Sequence, residues 1–196
     1  MNHKRAMEIK SKLSGYILAG GKSSRMGTDK ALLSVQEEPM LKRMIRLLEP
    51  FCQSIAISGN NPGYSDFNIE MVADIYTGCG PISGIISSLK HSSTEWNLLV
   101  SVDVPFMNET FIAHLISHIG NYDCIIPRHD GGIEPLMGLY NKKIMPVVEE
   151  MINQGDYKLM RLLSKLNVQY VNCNDMIKQF PRLFVNINFP GDYNSI

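Results

Sequence analysis

The chain has no C-x-x-C pair and no cysteine–histidine cluster at metal-ligand spacing, which argues against a zinc site. Its four cysteines, Cys52, Cys79, Cys124 and Cys173, are widely scattered, and 196 residues need no bridges to hold a core. Reduced, partly buried thiols are the expectation. No apolar run approaches the roughly 20 residues of a membrane span, so no membrane partner is expected. Met1–Ser14 is polar and basic and lacks the apolar core of a signal peptide, which makes the cytoplasm the expected compartment. Residues 1–13 read as a flexible N-terminal arm and residues 14–196 as a single domain. Net charge is also missing: 19 basic side chains cancel 19 acidic ones. A general nucleic-acid binder usually carries a basic excess, so no nucleic-acid partner is expected. There is no internal repeat and no low-complexity tract.

Both familiar phosphate loops are absent. A P-loop would need a glycine at the position of Tyr16, and no G-x-G-x-x-G occurs. No Ser/His/Asp or Cys/His constellation for nucleophilic catalysis is evident either. His114 and His118 are spaced i, i+4, but the glutamate of the zinc-helix motif is missing, and they read as the edge of an exposed helical face. The twelve methionines read mostly as core filling.

What is present is a glycine-rich basic stretch directly after an apolar run. Residues 17–30 read Ile-Leu-Ala-Gly-Gly-Lys-Ser-Ser-Arg-Met-Gly-Thr-Asp-Lys. Gly20 and Gly21 allow a tight turn that brings backbone N–H groups close to a ligand. Successive N–H groups in such a turn form a concavity for anions, and Lys22, Arg25 and Lys30 add charge to it. A nucleoside triphosphate has the matching tail. The bland alternative is a strand-to-helix turn with solvated charges.

Apolar β-type runs alternate with helical patterns through the first two thirds. Strands are expected at 14–19, 54–58, 69–73, 97–102 and 124–127. Pro39 opens a helix with Met40, Leu41, Met44, Ile45 and Leu48 on one face. Pro81 opens another, with Ile82, Ile85, Ile86 and Leu89 on its apolar face. Asn108 is the expected cap of a helix running to Ile119. Further on, 135–140 reads as a returning antiparallel strand, 143–153 and 158–166 as helices, 168–172 as a strand, and 185–188 as an exposed strand end. The alternation implies a three-layer α/β/α sandwich with a mostly parallel sheet.

Ligands in such sheets bind beyond the carboxyl ends of the strands. The glycine loop, Asp74 and Asp103 all fall at such ends. Asp103 ends the apolar run Leu98–Val102, where an unpaired carboxylate is costly. A magnesium ion is a fitting partner, since it takes one or two carboxylates together with substrate phosphates and water. A helix cap or a nearby lysine is the alternative for Asp103, and a turn-forming role the alternative for Asp74. Gly78-Cys79-Gly80-Pro81 leads into a helix whose first N–H groups stay open to a polar ligand.

Together these blocks resemble the molybdenum cofactor guanylyltransferase family. The likeness runs through Leu18-Ala19-Gly20-Gly21, Ser23-Ser24-Arg25-Met26-Gly27, Asp29-Lys30-Ala31-Leu32-Leu33, Gly80-Pro81 with Gly84, Asp103-Val104-Pro105-Phe106 and Asn186-Ile187-Asn188. The first block is shared with the wider nucleotidyltransferase superfamily. The resemblance implies a Rossmann-like nucleotidyltransferase that uses magnesium to transfer GMP from GTP to molybdenum-bearing molybdopterin, releasing pyrophosphate. It implies that Leu18, Ala19, Gly20 and Gly21 contact the nucleotide, that Arg25 and Lys30 neutralise the triphosphate, and that Asp74 lies by the guanine nucleoside. Asp103 would hold the metal, and Gly80, Pro81, Asn186 and Asn188 would face the acceptor. A transient complex with other molybdenum cofactor synthesis proteins is implied as well. The chain departs from many relatives in carrying Val102 before Asp103 and Glu134-Pro135 where a His-Pro pair is common. Three other readings stay open: a cytidylyltransferase for the same cofactor, a sugar-phosphate nucleotidyltransferase, and a non-catalytic nucleotide-binding protein. Relatives that use CTP usually carry alanine at the place of Gly20.

Overall fold

In the computed structural model, residues 12–20, 29–35 and 37–187 are described. The expected arm up to residue 11, the loop residues 21–28 with Gly21 and Arg25, and Asn188 lie outside the described residues.

Strand β1 (Leu13–Leu18) is buried along its whole length and is the centre of the fold. A two-strand hairpin, β2 (Ser34–Val35) and β3 (Glu38–Pro39), precedes helix α1 (Met40–Leu48). Proline suits the helix entrance, where its missing N–H costs nothing. Met40, Leu41, Met44, Ile45 and Leu48 are the buried face of α1, as their spacing predicts. Then follow β4 (Ser54–Ser58), β5 (Glu70–Val72) and helix α2 (Pro81–His91). Ile82, Ile85, Ile86 and Leu89 of α2 are fully buried, and each contributes about 1.5–3 kcal/mol of hydrophobic stabilisation.

Strand β6 (Trp96–Ser101) leads to α3 (Glu109–Ile116), capped by Asn108, whose Oδ1 accepts from the Phe111 N–H at 2.9 Å. The helix stops at Ile116, short of the expected Ile119. The N–H groups of His118 and Ile119 bond three residues back, so the last turn tightens out of the α-form. The remainder comprises β7 (Cys124–His129), β8 (Gly132–Ile133), β9 (Met137–Asn141), α4 (Met145–Asn153), α5 (Leu159–Ser164), β10 (Val168–Asn172) and α6 (Asn174–Gln179).

The main sheet runs β10-β7-β9-β6-β1-β4-β5, with β8 hydrogen-bonded to β7. The pairs β1–β4, β1–β6, β4–β5 and β7–β10 are parallel. Strand β9 is antiparallel to both neighbours, which makes it the returning strand expected near 135–140. One apolar layer packs α1 and α3 against the sheet, and the other packs α2, α4 and α5 against its opposite face. The molecule is therefore an α/β/α sandwich.

The expected strand end at 185–188 is a correction. Residues 185–187 form no ladder, and the Ile187 N–H bonds at 2.8 Å to the carbonyl of Asp103. Ile187 is fully buried. The apolar–polar alternation marks an anchored chain segment rather than a strand.

Candidate active site

The register of the parallel strands builds the site. Leu18 lies level with Ser58 on one side and Ser101 on the other, and Ser58 lies level with Val72. Four strands thus end on one line. The chain leaves that line through Ala19-Gly20, Gly59-Asn60, Val102-Asp103 and Ala73-Asp74. From β1 the sheet continues to β4 on one side and to β6 on the other, so this line is the topological switch point, where ligands of open α/β sheets bind.

A cleft of about 570 Å3 opens there. Leu18, Gly20, Ser58, Gly59, Asn60, Asp74, Gly78, Gly80, Pro81, Gly84, Ser101 and Leu136 line it. Two glycine effects shape it. Gly80 has φ of +67° at the entry to α2, a conformation that side-chain-bearing residues rarely adopt. No side chain caps the helix: Pro81 has no N–H, and the Ser83 N–H turns back to the Gly80 carbonyl at 3.1 Å. Gly84, one turn into α2, permits close approach. A methyl there would lie 3.2 Å from Ser58 Oγ, 3.3 Å from Leu18 Cδ2 and 3.9 Å from Asp74 Oδ1. Asp74 therefore reaches the helix wall, and partial burial raises its pKa above the ordinary carboxyl range. Gly20 is different: among the described residues a methyl there would meet only the Ser58 carbonyl, at 3.9 Å, and its φ is not positive. Neither the described packing nor the backbone demands glycine at position 20, where the residue lines the cleft.

Asp103 stands half-buried just past β6 and is not itself in the wall. The Ser101 hydroxyl, which is in the wall, donates to Asp103 Oδ1 at 2.6 Å, and the Val102 N–H donates to the Leu18 carbonyl at 3.2 Å. The carboxylate is thus tied to the cleft edge, and among the described residues its Oδ2 has no hydrogen-bond or ion-pair partner. Among the described residues no group of three or more acidic, histidine or cysteine side chains could cage an ion alone. One oriented carboxylate fits a magnesium ion that completes its shell with phosphates and water.

Beyond Asp103, on the α1/α3 side, lies the terminal segment. Asn186 is exposed and adjoins Ile187, whose N–H holds the Asp103 carbonyl. Glu134 also acquires a partner here: His129 Nε2 lies 3.0 Å from its Oε1. The Gly131 N–H donates to His129 Nδ1, so the ring proton sits on Nε2 and points at the carboxylate. Glu134 is thus paired with a histidine of β7.

The two described flanks of the glycine-rich stretch are joined. Asp29 caps the short 3-10 turn Lys30–Leu32, accepting from the Ala31 N–H at 3.0 Å, and so sets Lys30 at the start of that turn. Asn61 Nδ2 donates to Asp29 Oδ2, and the Tyr64 hydroxyl bonds both Asp29 Oδ2 and the Ala19 carbonyl.

Of the sequence candidates, Leu18, Gly20, Asp74, Gly80 and Pro81 share one cleft, Ala19 adjoins it, Asp103 and Asn186 sit together beside it, and Lys30 lies in the turn that Asp29 caps. Ser58, Asn60, Ser101, Leu136 and Tyr64 were missed. The end of the 54–58 strand, followed by Gly59-Asn60, carried the same signal as the other strand ends. Tyr64 carried none, because nothing local links it to Ala19 or Asp29. His114 and His118 meet edge to face at 4.9 Å, and His118 Nδ1 is committed to the His114 carbonyl at 2.9 Å.

The fold and site define a nucleotidyltransferase. Residues 15–170 match the family described as "MobA-like NTP transferase domain", and the chain belongs to that family. A protein of Clostridium perfringens named "Probable molybdenum cofactor guanylyltransferase" is 35% identical over 191 residues, covering 94% of this chain and 96% of that one. A Vibrio parahaemolyticus protein named "Molybdenum cofactor guanylyltransferase" is 32% identical, covering 91% and 92%. Among solved structures, the "Molybdopterin-guanine dinucleotide biosynthesis protein A" of Archaeoglobus fulgidus superposes with a TM-score of 0.77 at 25% identity, covering 93% of this chain and 95% of its own.

Proposed function

We propose that the protein transfers GMP from GTP to molybdenum-bearing molybdopterin, releasing pyrophosphate and forming the guanine dinucleotide cofactor. The observation that carries this reading is the alignment of four strand ends around one cleft, with side-chain-free space at Gly20. An oxygen of the acceptor's phosphate forms a bond to the α-phosphorus of GTP. The bond from that phosphorus to the bridging oxygen breaks, and pyrophosphate leaves with the electron pair. A phosphate nucleophile is already ionised near neutral pH, so no general base is required. Alignment and charge neutralisation are the tasks left to the protein.

In this reading Leu18, Ala19, Gly20 and Gly21 hold the nucleotide. Asp74 accepts hydrogen bonds from the guanine nucleoside. Arg25 and Lys30 neutralise the triphosphate, and Asn186 and Asn188 face the acceptor. Gly80 and Pro81, which the resemblance gives to the acceptor, line the same cleft as Gly20 and Asp74 and are reassigned here to the nucleotide side. A bound magnesium ion would supply charge neutralisation on the α-phosphoryl group and pyrophosphate, held by Asp103. Four free, buried cysteines suit a reducing cytoplasm. Among the described residues no helix is long and apolar enough to cross a membrane. Delivery of a labile pterin favours a transient complex with other molybdenum cofactor synthesis proteins.

The test is pyrophosphate release from GTP, CTP and UTP in turn, with purified molybdopterin and magnesium. Turnover confined to GTP supports the reading. Turnover with CTP alone, or with a sugar phosphate in place of the pterin, overturns it.

A further inference from the structure

Arg182 has no place in the site described so far. Its guanidinium carbon lies 3.7 Å from the centroid of the Phe106 ring, a close cation–π stack. Its Nη2 is buried and has no hydrogen-bond partner among the described residues, and no carboxylate there forms an ion pair with it. A charged donor removed from water and left unpaired is expensive, and proteins rarely retain one without a use. Here the ring positions the group while its charge stays uncommitted.

Its location gives that charge a meaning. Phe106 lies three residues beyond Asp103. The turn between them is pinned from α1, where Arg43 Nε donates to the Pro105 carbonyl at 2.7 Å. It is pinned from the terminal segment as well, through the Ile187 N–H on the Asp103 carbonyl. Arg182 and Ile187 belong to one short stretch, and the stretch is further fixed by Phe184, which stacks on His129 at 4.8 Å and meets Phe111 edge-on at 5.4 Å. Arg182 is therefore fastened to the same turn as Asp103, on the α1/α3 side, away from the wall formed by Gly80, Pro81 and Gly84.

We propose that Arg182 is a positioning residue for the acceptor: it binds the phosphate monoester whose oxygen attacks the nucleotide, on the side of Asp103 opposite the GTP cleft. The inference rests on the proposed transfer reaction. A guanidinium suits this task because it offers paired, fixed donors to a phosphate while its charge cannot be lost by deprotonation. Stacking on Phe106 fixes its plane before the ligand arrives.

The test uses the full chain with Arg182→Met and Arg182→Lys, first checked for an unchanged melting curve. Molybdopterin is titrated in the pyrophosphate-release assay at saturating GTP, and GTP binding is measured separately by calorimetry. Arg182→Met is expected to raise the acceptor KM at least tenfold while GTP affinity changes less than twofold. Arg182→Lys, which keeps the charge, is expected to recover part of that loss. An unchanged acceptor KM overturns the proposal, as does an equal loss for GTP and acceptor. If Arg182→Met melts early, Arg182→Lys and Phe106→Leu decide: both must raise the acceptor KM selectively, or the role is structural and the proposal fails. No turnover by the unsubstituted protein would count against the transfer reaction itself, and selective quenching of pterin fluorescence by that protein but not by Arg182→Met would still uphold the anion site.

Discussion

The Tyr64 hydroxyl lies 2.7 Å from Asp29 Oδ2, across 35 residues of sequence. The same hydroxyl lies 3.0 Å from the carbonyl of Ala19. Asp29 directly follows the stretch at 21–28 and Ala19 lies two residues before it, so one phenol ties both flanks of the glycine-rich segment together. It has a single proton for two acceptors, and Asn61 helps by donating to the same carboxylate oxygen. Burial, and then the neighbouring carboxylate, raises the pKa of Tyr64 well above its ordinary value, so the proton stays in place throughout the working range. Tyr64→Phe keeps the ring, which is fully buried, and deletes only the tie. Stability is expected to fall by about 1.5–3 kcal/mol, the cost of a lost bond to a charged group. The catalytic effect should exceed it, with kcat/KM for GTP down about tenfold, since small misplacements of a positioned group are costly. Urea melts and steady-state kinetics check both numbers.

Asp103 gives the sharpest activity test. Asp103→Ala and Lys30→Ala are each expected to remove most turnover while the fold survives, because both side chains are only half-buried and neither belongs to the apolar layers. Removal of one preorganised electrostatic group typically lowers kcat by about 100- to 1000-fold. Ser101→Ala leaves the carboxylate but deletes the 2.6 Å bond that orients it, and a smaller loss is expected. Near-normal turnover by well-folded Asp103→Ala would refute the metal assignment. Titrating magnesium against each variant separates the two residues: Ser101→Ala should shift the magnesium requirement upward, whereas Asp103→Ala should not be rescued by any concentration.

Gly20 tests base choice. Among the described residues a methyl there meets nothing closer than 3.9 Å, and the backbone is unstrained. Gly20→Ala is therefore expected to melt with the parent protein. The added methyl narrows the room for a purine, so the GTP KM should rise and the CTP KM fall. One methyl in a pocket is worth about 1–3 kcal/mol, which predicts a change of about 10- to 200-fold in the ratio of kcat/KM for the two nucleotides. An unchanged ratio would place the base elsewhere than beside Gly20.

Much of this could be read in the sequence, and the exceptions share a cause. The apolar spacing of α1 and α2 announced both helices because each buries a continuous face against the sheet. Leu18, Gly20, Asp74 and Asp103 were legible because strand ends are marked locally, by an apolar run meeting glycine or aspartate. Their convergence followed from parallel pairing alone. Tyr64 and Arg182 were not legible, since their roles depend on partners 35 to 76 residues away and no local pattern signals a phenol's second acceptor or an arginine's missing one. The 185–188 segment misled for a related reason. Alternation records which side chains are buried but not whether a strand edge is available to pair with.

Asp74 links catalysis to stability. Partial burial raises its pKa on folding, so the folded state takes up protons more readily than the unfolded one. For a carboxyl shifted in this direction, the stabilising contribution is complete below the unfolded pKa, about 3.9, and disappears as pH rises through the folded value. At neutral pH the ionised group is therefore a net cost to the fold, in keeping with the ligand-binding role proposed for it. Asp74→Asn, neutral and of the same shape, is expected to melt higher than the parent protein at pH 7 to 8. The gap should close as pH falls toward the ordinary carboxyl range, where both proteins carry a neutral side chain. Nucleotide binding should move the other way, weakening at pH 7 because the amide presents one acceptor where the carboxylate presents two. Melting curves across pH, read beside GTP titrations, test both signs; a variant that loses stability at pH 7 would show that Asp74 serves the fold rather than the ligand.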